Sequence, residues 1–384
     1  MTTADVVVIG GGIIGVSIAY HLLERDPTLR VVVLEKEPEL GAGATAKATG
    51  GVRHQFSTET NVRLTLLSCR YFADAEAILG RSVDFVPHGY LFVTAAPDTF
   101  EQARKNVELQ QRLGVRSRLV AHDEMRAFLP QLQVDDLAGG SFCPDDGSAD
   151  PNGLLQGFLV CARHRGLQVR TAEPVIAIQR EQGSVTGVST PTDRYAAPVV
   201  VNAAGPYADQ VGVLAGVNVP SRPYRRQVIV TEPPPDLPER FPLIVDLDSG
   251  WYVHRLGRSA LLMGGTDKDL HPGLDATVDW EAFEPVFQAA GKRAPLLAGA
   301  KVLRAYAGVR DLTPDYHGIL CQAPAAPGFY VACGFSGHGF MHAPAIGLLM
   351  AELILDGRAE SMEIGPLSLD RFKSGAFVTE ANMF

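Results

Sequence analysis

The stretch VVVIGGGIIGVSIAYHLL, residues 6–23, joins two kinds of secondary structure through three consecutive glycines. Residues 6–9 are all β-branched and predict a buried parallel strand, whereas the apolar periodicity over 13–24 predicts a helix. Gly10, Gly12 and Gly15 have the spacing GxGxxG. In this spacing the first glycine allows a tight turn, the second lets a pyrophosphate approach the backbone, and the third lets the helix pack closely on the strand. The stretch therefore predicts a phosphate site at the start of the first helix, where backbone N–H groups are free.

A second predicted strand follows in RVVVLEKE, residues 30–37, and Glu35 lies near its end, twenty residues after Gly15. A carboxylate at this position can accept hydrogen bonds from the ribose hydroxyls of a dinucleotide. Each feature alone has another explanation, because glycine-rich turns also serve packing and Glu35 could be a solvated strand end. Together they predict a dinucleotide site.

The composition excludes several classes of function. The chain has 384 residues, is 46% hydrophobic and carries a formal net charge of −9. No basic block marks a face for nucleic acid or an anionic membrane surface. The five cysteines lie far apart without a CxxC pair or Cys/His cluster, so we predict no metal site and expect reduced thiols in the cytoplasm. No uninterrupted apolar run reaches the roughly 18 residues of a transmembrane helix, and we expect no membrane-spanning segment.

Three further segments favour a flavin dinucleotide. GAGATAKATGG (41–51) is suited to backbone that lies against a large flat ligand, and YAAPVVVNAAGPYA (195–208) predicts another parallel strand with a glycine turn. FYVACGFSGHGFMHAPAIGLLMAELI (329–354) repeats the strand–turn–helix plan, so a helix N-terminus can approach a ring that becomes anionic on reduction. The first segment could also be a flexible loop, and the second a purely structural turn.

Together the motifs resemble those of the D-amino-acid oxidase superfamily of FAD enzymes. The resemblance rests on GxGxxG, Glu35, GATAKATGGVRHQF, VVVNAAGPYA, AGVRDLTPD and GFSGHGFMHAPAIG, and it extends over essentially the whole chain. It is greatest to the flavin subunits of L-proline dehydrogenase and heterotetrameric sarcosine oxidase, with glycine oxidase more distant. It implies an α/β fold with a Rossmann-like, parallel-sheet FAD-binding domain and a substrate domain built on a large antiparallel or mixed sheet.

The domains are predicted to be discontinuous. FAD-domain pieces are expected at 1–82, 146–218 and 322–384, with the substrate domain at 83–145 and 219–321, where short β-rich runs alternate with turns. Amphipathic helices are predicted at 60–79, 99–113 and 153–166.

The motif and the resemblance predict which residues hold the cofactor. In chain order they are Gly10, Gly12, Ile13, Ile14, Gly15, Glu35, Lys36, Ala42, Ala44, Thr45, Thr49, Gly50, Gly51, Val175, Ala204, Gly205, Gly308, Gly334, Phe335, Ser336, Gly337, His338, Gly339, Phe340 and Met341.

Arg310, in AGVRDLTPD, is the leading candidate for substrate binding. The resembling enzymes bind the substrate carboxylate with an arginine in this region, and a guanidinium fork matches a carboxylate geometrically. The alternative is a surface ion pair between Arg310 and Asp311 or Asp315.

Four other residues are candidate catalytic residues. Arg53 and His54 follow the glycine-rich stretch that passes beside the flavin ring in the resembling enzymes, although a structural role for His54 is the simpler interpretation. Tyr252 and His254 alternate on a predicted strand and would share one face of it, as part of a pocket wall or as ordinary sheet packing.

Departures from the resembling enzymes refine these expectations. The segment of Gly308 lacks the cysteine that tethers flavin in monomeric sarcosine oxidases, so the FAD is expected to be non-covalent. Residues 145–158 offer no histidine to tether a second flavin, which makes bound FMN doubtful. Met341 and Leu262 stand where the resembling oxidases have lysines, and losing a cation there should slow reaction with oxygen.

The resemblance and these departures therefore imply a dehydrogenase that moves hydride from a small amino acid or secondary amine to flavin N5, giving an imine. Proline-, sarcosine- or glycine-like substrates are expected, and the electron acceptor is a partner subunit, a quinone or oxygen. The chain could then be one subunit of a hetero-oligomer. The alternatives are an oxidase that produces hydrogen peroxide and a non-catalytic flavin-binding assembly factor, with an NAD(P) enzyme third. A cytoplasmic location is expected, with peripheral association at the inner membrane as the alternative.

Overall fold

The computed structural model describes residues 1–265, 271–375 and 377–382. Its strands are β1 (Thr2–Thr3), β2 (Val6–Ile9), β3 (Val31–Leu34), β4 (Gly51–Val52), β5 (Tyr90–Thr94), β6 (Arg118–Val120), β7 (Gly139–Cys143), β8 (Gly147–Ser148), β9 (Gln168–Arg170), β10 (Ala177–Glu181), β11 (Ser184–Ser189), β12 (Arg194–Ala196), β13 (Val199–Asn202), β14 (Arg222–Thr231), β15 (Leu243–Asp246), β16 (Tyr252–Leu256), β17 (Ala260–Gly264), β18 (Val302–Leu312), β19 (Ile319–Gln322) and β20 (Phe329–Cys333).

The helices are α1 (Ile13–Arg25), α2 (Glu59–Ser68), α3 (Arg70–Ala73), α4 (Ala75–Leu79), α5 (Pro97–Arg112), α6 (His122–Phe128), α7 (Pro151–His164), α8 (Ala208–Leu214), α9 (Glu284–Arg293), α10 (Gly339–Asp356) and α11 (Arg371–Ser374). The segment predicted as one helix over 60–79 is divided into α2, α3 and α4, whereas the other two predicted helices correspond to α5 and α7 with shifts of one or two residues. The Asp150 side chain caps α7 by accepting a hydrogen bond from the Asn152 backbone N–H.

The glycine-rich turn after β2 belongs to a six-stranded sheet with the order β19-β20-β13-β2-β3-β9. The strands from β20 to β9 are parallel, and β19 runs antiparallel to β20. Strands β2 and β3, VVVI and VVVL, are buried at every residue, as expected for a sheet covered on both faces. One face packs on α1, α7 and α10, and the other packs on α8 and a four-stranded sheet, β1-β12-β11-β10.

A second, mixed sheet has eight strands in the order β18-β14-β17-β16-β15-β5-β7-β6. All its neighbouring strands are antiparallel except β15 and β5. One face packs on α6 and α9, and the other carries a smaller apolar cluster that includes Tyr90, Val228 and Tyr252. The predicted fold class, a parallel sheet flanked by helices together with a large mixed sheet, is confirmed.

The strands of each sheet come from separate stretches of the chain. The six-stranded sheet takes its strands from residues 6–34, 168–170, 199–202 and 319–333, whereas the eight-stranded sheet takes its strands from 90–143 and 222–312. The β19 strand begins three residues before the expected boundary at 322. The division into two domains stays a prediction.

One helix in the described part of the chain, α10, is long and apolar enough to cross a membrane, with a mean hydropathy of 1.3 over 18 residues. Its sequence is not an uninterrupted apolar run, because it contains His342, Glu352 and Asp356. Two-thirds of the helix is buried inside the protein, and it packs against α1 and α2. Burial of this extent is typical of a core helix.

Candidate functional site

A cavity of about 890 Å³ lies between the two large sheets. It reaches from the carboxyl ends of β2 and β3 to the face of β14 and β18 that carries Gly308 and Arg310. All residues predicted to hold the cofactor line this cavity except Gly15 and Gly334. Arg53, Arg310 and Tyr252 also line it. Ligands bind at the carboxyl ends of strands in sheets of this kind, so this cavity is the candidate site.

The glycines of the first turn have different structural roles. Gly10 has a φ of +111°, and a Cβ there would lie 2.3 Å from the Ala203 carbonyl oxygen. A Cβ on Gly15 would lie 2.0 Å from the Gly10 carbonyl oxygen, so Gly15 brings α1 against the turn without lining the cavity. Gly12 is open towards the cavity, and the nearest atom to its Cβ position is the Thr45 hydroxyl at 3.4 Å. A ligand can therefore approach the backbone most closely at Gly12.

The start of α1 is suited to an anion. Gly12 is its N-cap and supplies no side-chain hydrogen bond, and the first turn contains no acidic residue. The Ile13 backbone N–H donates to the Thr45 hydroxyl at 3.0 Å, which fixes the 41–51 loop against the helix. The first N–H groups of a helix lack intrahelical partners, and the positive end of its dipole lies there. These features fit a diphosphate.

Glu35 is fixed by the backbone around it. Its Oε2 accepts a hydrogen bond from Gly11 N–H at 2.7 Å, and its Oε1 accepts one from Glu37 N–H at 2.9 Å. Carboxylate oxygens have further lone pairs, so Glu35 can still accept hydrogen bonds from ribose hydroxyls in the cavity. This arrangement fits the role predicted for Glu35.

The second glycine-rich turn, residues 334–339, is held by Asp311. The Asp311 carboxylate accepts from Gly334 N–H, and its carbonyl accepts from Ser336 N–H at 2.9 Å. Burial raises the pKa of Asp311 to about 6, although the hydrogen bond from Gly334 opposes this shift. Gly334 thus connects the turn to β18 instead of contacting the cavity.

His338 lies at the start of α10 and is 2% exposed. Both of its ring nitrogens lack a hydrogen-bond partner among the residues that the structure describes. Burial lowers the pKa of His338 well below its ordinary value, so the ring is neutral. Buried polar atoms are nearly always hydrogen-bonded, and an unpaired imidazole in the cavity wall fits a site for a polar ligand.

Arg310 lies beside the same turn. The Cβ position of Gly337, whose φ is +92°, lies 2.8 Å from Nη1 of Arg310, so the guanidinium lies directly against the backbone of the turn. The two carboxylates considered as ion-pair partners have other contacts. Asp311 accepts from Gly334, and Asp315 lies 2.7 Å from Nε of Arg371.

Arg226 was not predicted, although it also lines the cavity. In the β14–β18 register Arg226 pairs with Gly308 and Tyr224 pairs with Arg310, so Arg226 and Arg310 lie on the same face of the sheet. Lys47, another unpredicted residue, lines the cavity opposite Gly308. The site is therefore rich in cations, and the pairing of distant strands that brings them together was not readable from the sequence.

Arg53 is buried in the cavity wall. Nη1 donates to the Gln55 carbonyl at 2.5 Å and Nη2 donates to the Asn382 carbonyl at 2.7 Å. Its guanidinium also lies 3.9 Å from the centre of the Phe56 ring. Arg53 therefore connects the cavity to the C-terminal segment.

His54 does not line the cavity, which is a correction to its inclusion among candidate catalytic residues. Its ring is 5% exposed and lies between Asp146 and Cys69. Successive side chains of extended backbone point in opposite directions, so Arg53 faces the cavity and His54 does not.

Tyr252 and His254 lie on the same face of β16 but line different cavities. Tyr252 lines the candidate site, whereas His254 lines a second cavity of about 1440 Å³ together with Leu262. The assignment of His254 to the wall of the candidate site is thus also corrected. Both cavities share Lys47, Ala48, Thr49 and Tyr306 as lining residues, so they adjoin.

Known proteins resemble this chain over nearly its full length. The family described as DAO, FAD dependent oxidoreductase, matches residues 5–353. The chain is 30% identical to FAD-dependent oxidoreductase domain-containing protein 1 of Xenopus laevis, with 99% of this chain and 85% of that protein covered. It is 31% identical to mitochondrial sarcosine dehydrogenase of Homo sapiens over 94% of this chain but only 40% of that protein. The structure of L-proline dehydrogenase from P. horikoshii has a TM-score of 0.91 and 30% identity, with 98% of this chain and 99% of that chain covered.

Proposed function

We propose, from the premise that the chain belongs to the DAO family of FAD-dependent oxidoreductases, that it oxidises the C–N bond of a small amino acid or secondary amine. The family and the FAD cofactor predicted from the motifs are confirmed. Sarcosine and L-proline, named in two of the relatives, are both secondary amino acids. We therefore propose a proline-, sarcosine- or glycine-like substrate and an imine product.

The observation that carries the proposal is the position of Arg310 in the same cavity as the glycine-rich turns. Its guanidinium lies against Gly337, at the turn that leads into α10. A carboxylate bound there would place the rest of a small amino acid close to the start of α10. A cation placed to bind a carboxylate favours an enzyme over a flavin-binding protein without a substrate.

Different residues described above would bind different parts of FAD. The start of α1 would bind the diphosphate, Glu35 the ribose, and the 41–51 loop and the start of α10 the flavin end. When bound, FAD supplies an acceptor for the hydride of the substrate. The positive end of the α10 dipole favours negative charge beside it, and His338 offers a neutral imidazole for hydrogen bonding.

Arg310 would bind the substrate carboxylate through its planar fork and so restrict the orientation of the α-carbon. Tyr252 and Tyr90 are buried and form part of the apolar wall that excludes water. Burial raises the pKa of the Tyr90 hydroxyl above its ordinary value, so this hydroxyl is neutral.

We further propose a dehydrogenase in preference to an oxidase, with non-covalent FAD. Met341 lines the cavity and Leu262 lines the second one. Because both side chains are uncharged, neither supplies the cation that the resembling oxidases have at these positions. The side chain of Lys47 begins at the wall of the site, and a lysine cation there is the feature that favours the oxidase alternative. The electron acceptor, partner subunits and a cytoplasmic location stay predictions.

Anaerobic reduction of the bound flavin tests the function. Purified yellow protein is mixed without oxygen with L-proline, sarcosine, glycine and matched amines that lack a carboxylate, and the visible flavin absorbance is followed. Bleaching by an amino acid is the expected result. If dithionite bleaches the flavin but no amine does, the oxidation is refuted and the assembly-factor alternative is favoured. Peroxide formation during turnover in air would favour the oxidase.

A further inference from the structure

Outside the candidate site, three side chains from separate parts of the fold form a triad in which each is in close contact with the next. The Cys69 Sγ lies 2.9 Å from Nε2 of His54, and Nδ1 of His54 lies 2.8 Å from Oδ1 of Asp146. Cys69 follows α2, His54 follows β4, and Asp146 precedes β8. Asp146 and His54 are buried, whereas Cys69 is partly exposed. Cys69 is therefore the member of this triad that is partly exposed to solvent.

Several hydrogen bonds fix the carboxylate at the other end. Oδ1 of Asp146 also accepts from the His54 backbone N–H at 2.7 Å, and Oδ2 accepts from Nε2 of Gln55 at 3.2 Å. The Gln55 amide is itself oriented, because its Oε1 accepts from the Ser141 hydroxyl at 2.8 Å. The imidazole is thus held with Nε2 towards Cys69, as a carboxylate holds a catalytic histidine.

The ring carries a positive charge. Burial alone would lower the pKa of His54, but its hydrogen bonds with Asp146, Cys143 and Cys69 raise it to about 12. Both ring nitrogens of an imidazolium donate. The imidazole Nε2 is directed at the Cys69 sulfur at 2.9 Å, and reactive cysteines in proteins commonly have a histidine placed in this way. Burial raises the pKa of the nearby Cys143 thiol to about 11, so that thiol stays protonated.

We propose that Cys69 is a nucleophilic cysteine and a site of covalent modification by soft electrophiles and by hydrogen peroxide, with His54 donating to its sulfur and Asp146 orienting the ring. In alkylation by iodoacetamide, sulfur forms a bond to carbon and iodide leaves with the electron pair. With hydrogen peroxide, sulfur forms a bond to one oxygen as the O–O bond breaks. The sulfur is oxidised to a sulfenic acid, and the peroxide is reduced to hydroxide, which takes up a proton to give water.

Limited alkylation of the holoenzyme at neutral pH tests the reactivity. Cys161 is an internal control, because it is also partly exposed but its Sγ contacts the Leu79 carbonyl oxygen, at 3.6 Å. Peptide mass spectrometry then gives the labelling rate of each cysteine. We expect Cys69 to react at least about tenfold faster than Cys161. Equal or slower labelling of Cys69 overturns the proposal.

Two variants then show whether the fast labelling of Cys69 depends on His54 or only on the exposure of Cys69. In His54→Gln the labelling of Cys69 should fall to the rate of Cys161, whereas His122→Gln, which changes a half-buried histidine bonded to the Leu137 carbonyl, should leave it fast. Fast labelling that persists in His54→Gln removes His54 from the role.

Peroxide treatment of the wild-type holoenzyme gives a measurement that does not depend on the folding of His54→Gln. Dimedone should trap a sulfenic acid at Cys69 and not at Cys161. Cys69→Ser should lose the adduct and keep its flavin, because Cys69 does not line the cavity. Equal adducts at both cysteines, or none at Cys69, would overturn the proposal.

Discussion

Replacing Arg310 with methionine tests the proposed carboxylate anchor. Methionine preserves much of the side-chain length beside Gly337 but removes the charge and all donors. A carboxylate bound by the guanidinium fork would receive two charge-assisted hydrogen bonds, each worth about 1.5–3 kcal/mol. Arg310 is half-buried, so solvent screening reduces their sum. We expect a loss of about 3 kcal/mol of transition-state binding, or roughly 150-fold in kcat/KM.

The assay compares an amino acid with the amine that lacks its carboxylate, such as L-proline with pyrrolidine, by anaerobic flavin reduction. Arg310→Met should slow reduction by the amino acid and leave reduction by the amine nearly unchanged. Arg304→Met is the matched control, because Arg304 lies on the same strand but is exposed at the second cavity. Flavin content is measured in every variant. An equal loss with both substrates, or an unchanged kcat/KM for the amino acid, would refute the anchoring role.

Three further changes have expected outcomes. Gly10→Ala places a methyl group 2.3 Å from the Ala203 carbonyl at a φ of +111°. It should lower the free energy of unfolding by about 3 kcal/mol or more and lose FAD, as measured by denaturation and by flavin content. A stable yellow variant would contradict this. Glu380→Gln replaces a buried carboxylate that accepts hydrogen bonds from four other residues, and it should lower the free energy of unfolding by about 2 kcal/mol. An unchanged Tm would show that these hydrogen bonds of the C-terminal segment contribute little to stability. The pKa of Asp311 in the folded state, about 6, exceeds its ordinary value of 3.8, so its contribution to stability is present at low pH and is lost as the pH rises through 6. Compared with Asp311→Asn, the wild type should therefore lose about 1–1.5 kcal/mol more between pH 5 and pH 8, and parallel pH profiles would refute this.

The parts of the site that the sequence predicted are contiguous segments. The glycine spacing after β2, the 41–51 loop and the 334–341 turn each bring several neighbouring residues to the cavity, so local chemistry was enough to identify them. Arg226 was missed because its position depends on the register of β14 with β18, which are separated by about 80 residues of chain. His254 was misplaced for a related reason. Tyr252 and His254 share one face of β16, but this face extends from the wall of the candidate site to the wall of the second cavity, where His254 lies.

Arg53 and His54 show how one short segment can serve two purposes. The carbonyl of Arg53 accepts a hydrogen bond from the Thr65 hydroxyl at 2.9 Å, and the next N–H, that of His54, donates to Asp146 at 2.7 Å. Both sides of this peptide unit are thus fixed, with the guanidinium in the cavity wall and the imidazole against Cys69. The cavity wall at Arg53 and the contact between His54 and Cys69 are therefore joined by one peptide unit whose carbonyl and N–H are both hydrogen-bonded.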